Sequence, residues 1–332
     1  MFSTPMALVH PSSEWVKHPV YYDETCNNPV IRAEKTLFKY CIAPLNNHSA
    51  FLKTIQADAF SVNGEPIFLP NVTAHDFENL MAWLWHERWQ PFELPLEDLI
   101  SLLRVGRYLI MPHLMRWALR RVNTHEPPLS STQKLLLSHE LPLYHSNWLR
   151  PSVGAIILIS PETYRGLESE LDLMHPTILL KIQFAREALQ NERNIIAMTL
   201  LPENLPPSLG CSQHHHSSIC YPVWNGIWWN KVGRGLLLPE SQARINQISD
   251  IPKFVREKVQ WEGLGIHAAC IESFIQHFES AGIFAIESRI ITAATAAISN
   301  FLRVKMHGTG LEFDFTVEDA ADEERLKASG SV

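Results

Sequence analysis

At 332 residues the chain is long enough for two domains, and 46% hydrophobic with 19% charged residues is the composition of a globular protein that can bury real cores. A formal charge of −7 with no long basic run argues against a general nucleic-acid binder, which presents a basic face. Five cysteines, an odd number in so long a chain, argue against a secreted disulfide framework and for reduced thiols.

The first elements are short. Residues 1–18, rich in Pro, Ser and Thr, read as a flexible lead with no secretory pattern. PVIRAE and TLFKYCI read as two strands joined tightly through EKT, carried by Val30, Ile31, Leu37, Phe38 and Tyr40. APLNNHSAFLKTI follows as a short helix, and GEPIFLPNV as a third strand fenced by prolines. Thr73 is placed to cap the next helix, where Phe77, Leu80, Met81 and Leu84 recur at i, i+3, i+4 and i+7. LEDLISLLRVGRYL and HLMRWALRRVN continue as helices, the first with Leu99, Leu102, Leu103 and Gly106 on one side.

EPPLSS, from Glu126, reads as a domain boundary. Helices are expected beyond it at STQKLLLSHEL, NWLRPSVGAIIL, SPETYRGL and HPTILLKIQFAREAL, the last with Ile178, Ile182, Ala185 and Leu189 on one face. The stretch around 201–222 is rich in Pro, Ser and His and reads as a polar loop. Helices resume at VWNGIWWNKVGRGLLL and over 265–304. GIFAIESRIITAATAAISNFL holds Glu287 and Arg289, which would cost several kcal/mol at a bilayer centre, so it reads as a buried helix rather than a span. The acidic end, 317–332, reads as disordered.

Chemistry-bearing patterns are few. There is no G-x-S-x-G serine, and the paired glycines of VGRGLLL and HGTGLEF complete no phosphate-binding motif. Trp224 and Trp228, four apart, read as a core stripe, with a partner-binding face as the other reading. Cys26, Cys41 and Cys270 stand without local signatures and read as ordinary thiols. In CSQHHHSSIC, the residues Cys211, His214, His216 and Cys220 can be drawn as one tetrahedral set of zinc ligands. One ten-residue stretch would then supply all four, and a solvated His-rich loop is the plainer reading.

Residues 19–125 resemble the BTB/POZ domain in the form found in fungal proteins. The resemblance is carried by HPVYYDE, VIRAEKTLFKYCIAPLNNHSAFLKTI, IFLPNVTAHDFENLMAWLW and LEDLISLLRVGRYLIMPHLMRWALRRV. LPLYHSNWLRPSVGAII and the series Cys220, Trp224, Trp228, Trp229 are similar, more loosely, to the helical second half of such proteins. The resemblance implies an α+β fold, a small sheet covered by helices, followed over 126–316 by a mainly α-helical region. It implies protein partners: self-association, with Leu45, Phe51, Leu52 and Ile55 as interface candidates, and in some members recruitment of a cullin-type ubiquitin ligase. The expected function is that of an intracellular adaptor or scaffold, in cytoplasm or nucleus, not an enzyme, with no cofactor and no nucleic-acid or membrane partner. Two alternatives stay open: a substrate receptor of such a ligase, and a metal-binding protein or enzyme with its site at Cys211–Cys220.

Overall fold

A computed structural model describes residues 15–41, 48–49, 51–52, 66–86, 94–141, 146–203, 205–238 and 244–307. The protein is mixed α+β and divides into two compact units between Leu129 and Ser130.

In the first unit, strands β1 (Val16–Tyr22), β2 (Ile31–Ala33), β3 (Thr36–Lys39) and β4 (Ile67–Phe68) form one sheet in the order β1-β3-β2-β4. β2 and β3 pair antiparallel, with Ile31 opposite Phe38 and Ala33 opposite Thr36. Glu34 sits in their turn at φ 51°, the left-handed geometry that matches strand twist in tight hairpins. β4 pairs parallel with β2, and β1 parallel with β3. The strand β1 corrects the reading of residues 1–18 as a flexible lead. From Val16 onward the segment is ordered by a pairing edge on β3, a long-range partner that local composition does not announce.

Three helices follow in the same unit: α1 (Ala74–His86), α2 (Leu96–Tyr108) and α3 (Pro112–Thr124). Thr73 caps α1 reciprocally: its Oγ1 accepts from the Asp76 N–H at 3.0 Å, and Asp76 Oδ2 accepts from the Thr73 N–H at 3.2 Å. The expected stripe of Phe77, Leu80, Met81 and Leu84 is buried, as are Leu99, Leu102, Leu103 and Gly106 of α2. Phe38 stacks on His18 at 4.8 Å and meets Phe77 edge-on at 4.8 Å, which fixes the sheet against α1. Between α1 and α2, buried Ser101 donates to Asp76 Oδ1 (2.6 Å) and Asn79 donates to Asp98 Oδ1 (3.0 Å).

Of the interface candidates, Leu45 and Ile55 lie outside the described residues. Leu52 is corrected: it is a core residue, 1% exposed, with its N–H donating to Ser49 Oγ, and Ser49 in turn donating to the Leu109 carbonyl. A side chain held that way has no surface to offer a partner. Phe51 is half-buried, its ring edge-on to Tyr108 at 5.5 Å.

The second unit has helices and no strand among its described residues. It contains α4 (Ser131–Glu140), α5 (Ser146–Leu158), α6 (Pro161–Gly166), α7 (Glu168–Leu171) and α8 (Pro176–Met198), then α9 (Ile251–Glu257), α10 (Ala268–Ser280) and α11 (Ile286–His307). Ser130 and Gln133 make a full capping box for α4. Ile178, Ile182, Ala185 and Leu189 are all buried, so α8 lays its expected face into the core. Glu287 of α11 is buried beside Arg193 of α8 at 3.4 Å, and its second oxygen accepts the Ile248 N–H at 2.8 Å. Among the described residues no single helix is long and apolar enough to cross a membrane; α10 and α11 reach that length only as a pair bent by 52°.

Between α8 and α9 runs a composite helix over 213–237. Its α-helical parts Gln213–His215, Tyr221–Ile227 and Arg234–Leu237 alternate with π-helical segments His216–Cys220 and Trp228–Gly233. The expectation of a polar loop near 201–222 is overturned from Gln213 on. Ser212 caps the run by accepting the His215 N–H, and Cys220, Trp224, Trp228 and Val232 turn one face into the core. The polar residues that suggested a loop are its outer face: Ser217 and Ser218 donate back to the carbonyls of Gln213 and His214.

Candidate metal centre

Two stretches far apart in sequence, 211–220 and the first turn of α10, meet at the start of the composite helix. Cys211 stands just before the N-cap Ser212, after a turn in which Gly210 takes φ +86°, a conformation side chains rarely adopt. His216 and Cys220 bound the first π-helical segment, four residues apart and both buried. Cys270 enters from the first turn of α10, fully buried. One ligand atom from each of these four residues lies within 4.8 Å of all the others.

Two of the separations match those of a tetrahedral ion. Zinc bonds of about 2.3 Å to sulfur and 2.0–2.1 Å to nitrogen, at tetrahedral angles, place two sulfurs about 3.8 Å apart and a sulfur about 3.5 Å from a nitrogen. Cys211 Sγ and Cys220 Sγ are 3.9 Å apart, and His216 Nδ1 is 3.5 Å from Cys270 Sγ. A disulfide would need the two sulfurs at about 2.0 Å, so the spacing is that of a coordination polyhedron, not of a cystine.

The surroundings favour thiolate character at Cys270 and oppose it at Cys211 and Cys220. Ser208 Oγ lies 2.9 Å from Cys270 Sγ, and the His267 N–H donates to Cys220 Sγ at 3.4 Å. Burial would raise the Cys270 thiol, but hydrogen bonds from Ser208 and the two neighbouring thiols hold it below its ordinary range. Cys211 is pushed up to about 12, first by lost solvation and then by the Cys270 and Cys220 sulfurs; Cys220 is pushed up by burial. Three thiols this close resist ionising together, and a divalent cation is the partner that takes the place of their protons. The His216 ring packs on Phe274 at 5.5 Å, and its Nε2 has no hydrogen-bond partner among the described residues.

Three of the four ligands drawn from sequence are therefore brought together: Cys211, His216 and Cys220. His214 is corrected. It is exposed on the outer face of the helix, while Cys270, fifty residues further on, supplies the fourth group. His215 does not ligate either; its Nε2 lies 2.9 Å from the Gly265 carbonyl and ties the helix start to the segment leading into α10.

The centre sits beside the aromatic core. Trp224, one turn after Cys220, stacks on Trp228 (5.7 Å) and Trp261 (5.9 Å), and Trp228 stacks on Phe278 at 4.4 Å. Trp228 Nε1 donates to the Ile196 carbonyl at 2.9 Å, so the stripe is core. Trp229 is 43% exposed and lies outside it. Gly233 completes the packing, because a Cβ there would meet Trp229 at 3.1 Å and the Ala197 carbonyl at 3.2 Å.

A Cys3His set of four protein ligands leaves no open coordination position, which is the pattern of structural zinc rather than of zinc that activates water. The chain matches no protein-family model, no curated protein and no solved structure, so its chemistry rests on the residues just described.

Proposed function

We propose that this chain is a binding protein whose helical unit is closed by a structural zinc ion, and whose α+β unit serves association with protein partners, a second copy of the chain foremost. The single observation that carries the metal reading is the meeting of Cys211, His216 and Cys220 from one stretch with Cys270 from α10, their ligand atoms all within 4.8 Å of one another. Soft thiolates with one imidazole select zinc over magnesium or calcium, which take oxygen ligands. The ion would join the start of the composite helix to α10 and so hold closed the core between them. The association reading is supported by the resemblance of residues 19–125 to BTB/POZ domains, which implies strand, strand, helix, strand and then paired helices; of these the described residues supply β2, β3, β4 and α1 to α3 in that order.

The test is elemental analysis of the purified full-length chain without a metal-binding tag. One zinc per chain, lost in a Cys211→Ser, Cys220→Ser double variant, is the expected outcome. Substoichiometric metal in the wild type, after refolding with zinc, sinks the metal reading. Light scattering of the same preparation addresses association separately: a strictly monomeric chain at high micromolar concentration removes self-association.

A further inference from the structure

We infer that the second unit carries, away from the metal centre, a binding site for a single phosphate-type oxyanion, lined by Arg186, Gln190 and Arg193 of α8 together with Arg244. The three α8 residues fall at i, i+4 and i+7, so one face of the helix presents two guanidinium groups with an amide between them. They line a recess of about 120 Å³, whose other walls include residues 157–160 and 235–238. That volume is well below the roughly 300–1,000 Å³ of pockets for drug-sized ligands, and suits one small anion.

The charge balance of the recess is one-sided. It is lined, among the described residues, by three arginines and by no aspartate or glutamate. Among the described residues neither Arg186 nor Arg244 has a carboxylate within ion-pair distance, although Arg244 is near enough to Glu162 to help lower that carboxyl's pKa, and Arg193 shares Glu287 at 3.4 Å. Glu287 is itself partly committed, since it also accepts the Ile248 N–H. Arg186 is held rigidly: its Nη1 donates to the carbonyls of Ile156 (2.7 Å), Ile157 (3.0 Å) and Ile159 (3.0 Å), and its guanidinium lies over the Tyr164 ring at 4.3 Å. The carbonyls at the end of α5 bring partial negative charge and fix the group in place, but they do not supply a full counter-charge. Burial first, and then the neighbouring Arg193, lower the Arg186 pKa, the mark of a positive charge short of compensation. Arg193 adds a donor in need of an acceptor, because its Nε is buried without a hydrogen-bond partner.

Planar guanidinium forks match the oxygens of phosphate better than ammonium groups do, and fixed donors lose little freedom on binding. Free phosphate and the phosphate of a small ester share this chemistry. Full-length protein titrated calorimetrically with inorganic phosphate, at ionic strength held constant with chloride, should show saturable one-to-one binding. A second arm with glycerol phosphate identifies the source: tighter binding of the ester points to an esterified ligand, tighter binding of phosphate to the free ion. Arg244 is exposed, so Arg244→Gln keeps the fold and should weaken binding tenfold or more. Phosphate also stabilises proteins by exclusion from their surface, but that effect neither saturates nor depends on one arginine. Absence of saturable binding of both ligands at millimolar concentration overturns the inference, as does equal affinity in the wild type and Arg244→Gln.

Discussion

Exchanging one ligand tests the metal centre more sharply than measuring its metal content, because sequence and structure name different fourth ligands. Cys270→Ser keeps the size of a fully buried side chain, so the cavity contribution is small and the loss is mainly that of a zinc bond. Changing groups that merely orient ligands costs about 10–100-fold in metal affinity, so losing one of four ligands costs about a hundredfold or more. At saturating zinc a hundredfold weaker site removes about 2.7 kcal/mol of stability. For a unit of 150–250 residues, each 1 kcal/mol is worth about 2–4 °C, so the thermal midpoint should fall by about 5–11 °C. His214→Ala changes an exposed side chain and should stay within about 0.5 kcal/mol of wild type. The assay is thermal unfolding at buffered free zinc, repeated after chelation. In chelator both should drop, the wild type by more, so the gap between them closes. Unchanged zinc affinity in Cys270→Ser, or loss of metal in His214→Ala, would refute the assignment of the four ligands.

Three further outcomes follow from the packing. Trp228→Ala removes the stack on Phe278 and the bond to the Ile196 carbonyl, and should cost about 3–5 kcal/mol in denaturant unfolding. Trp229→Ala, on the exposed neighbour, should cost far less; comparable losses would mean the core assignment is wrong. Ser101→Ala leaves the buried Asp76 Oδ1 without its donor and should cost about 1–3 kcal/mol, read by the same method. Glu287 has its pKa raised above 4.5, chiefly by burial, with Asp250 adding to it and Ile248 N–H and Arg193 opposing. The native state therefore holds this proton more tightly than the unfolded chain, so the contribution is greatest at low pH and is lost as pH rises from 4.5 through the raised value. Thermal midpoints of Glu287→Gln across that range should show a flatter pH slope than wild type, and an identical slope would count against the assignment.

How far the sequence disclosed this protein depended on the reach of each signal. Helix faces were legible because periodicity is local: Phe77 to Leu84, Leu99 to Gly106 and Ile178 to Leu189 each sit within one element and are buried as their spacing implies. The Thr73 cap and the β2–β3 turn are likewise written in neighbouring residues. β1 was not legible, because its pairing partner lies about twenty residues downstream, across a turn-rich stretch. Leu52 failed for a related reason: an apolar residue on a short helix looks the same whether it meets a partner or its own core, and only the Ser49 bond to Leu109 decides.

The metal centre shows the same limit in its strongest form. Cys211, His216 and Cys220 were visible as a cluster, but three residues in one stretch cannot enclose an ion, and His214 was drawn in only because it was near. In a helix that starts at Gln213, His214 and His216 are two residues apart, about 200° around the axis, so both cannot face one ion. That geometric conflict was available once the helix was known, and it demands a ligand from elsewhere. Cys270 meets the demand because α10 packs its Phe274 and Phe278 against Trp224 and Trp228, carrying its own first turn to the mouth of the composite helix. The aromatic core thus does more than bury area. It sets the register between two helices so that a thiol with no local signature becomes the fourth corner of a tetrahedron.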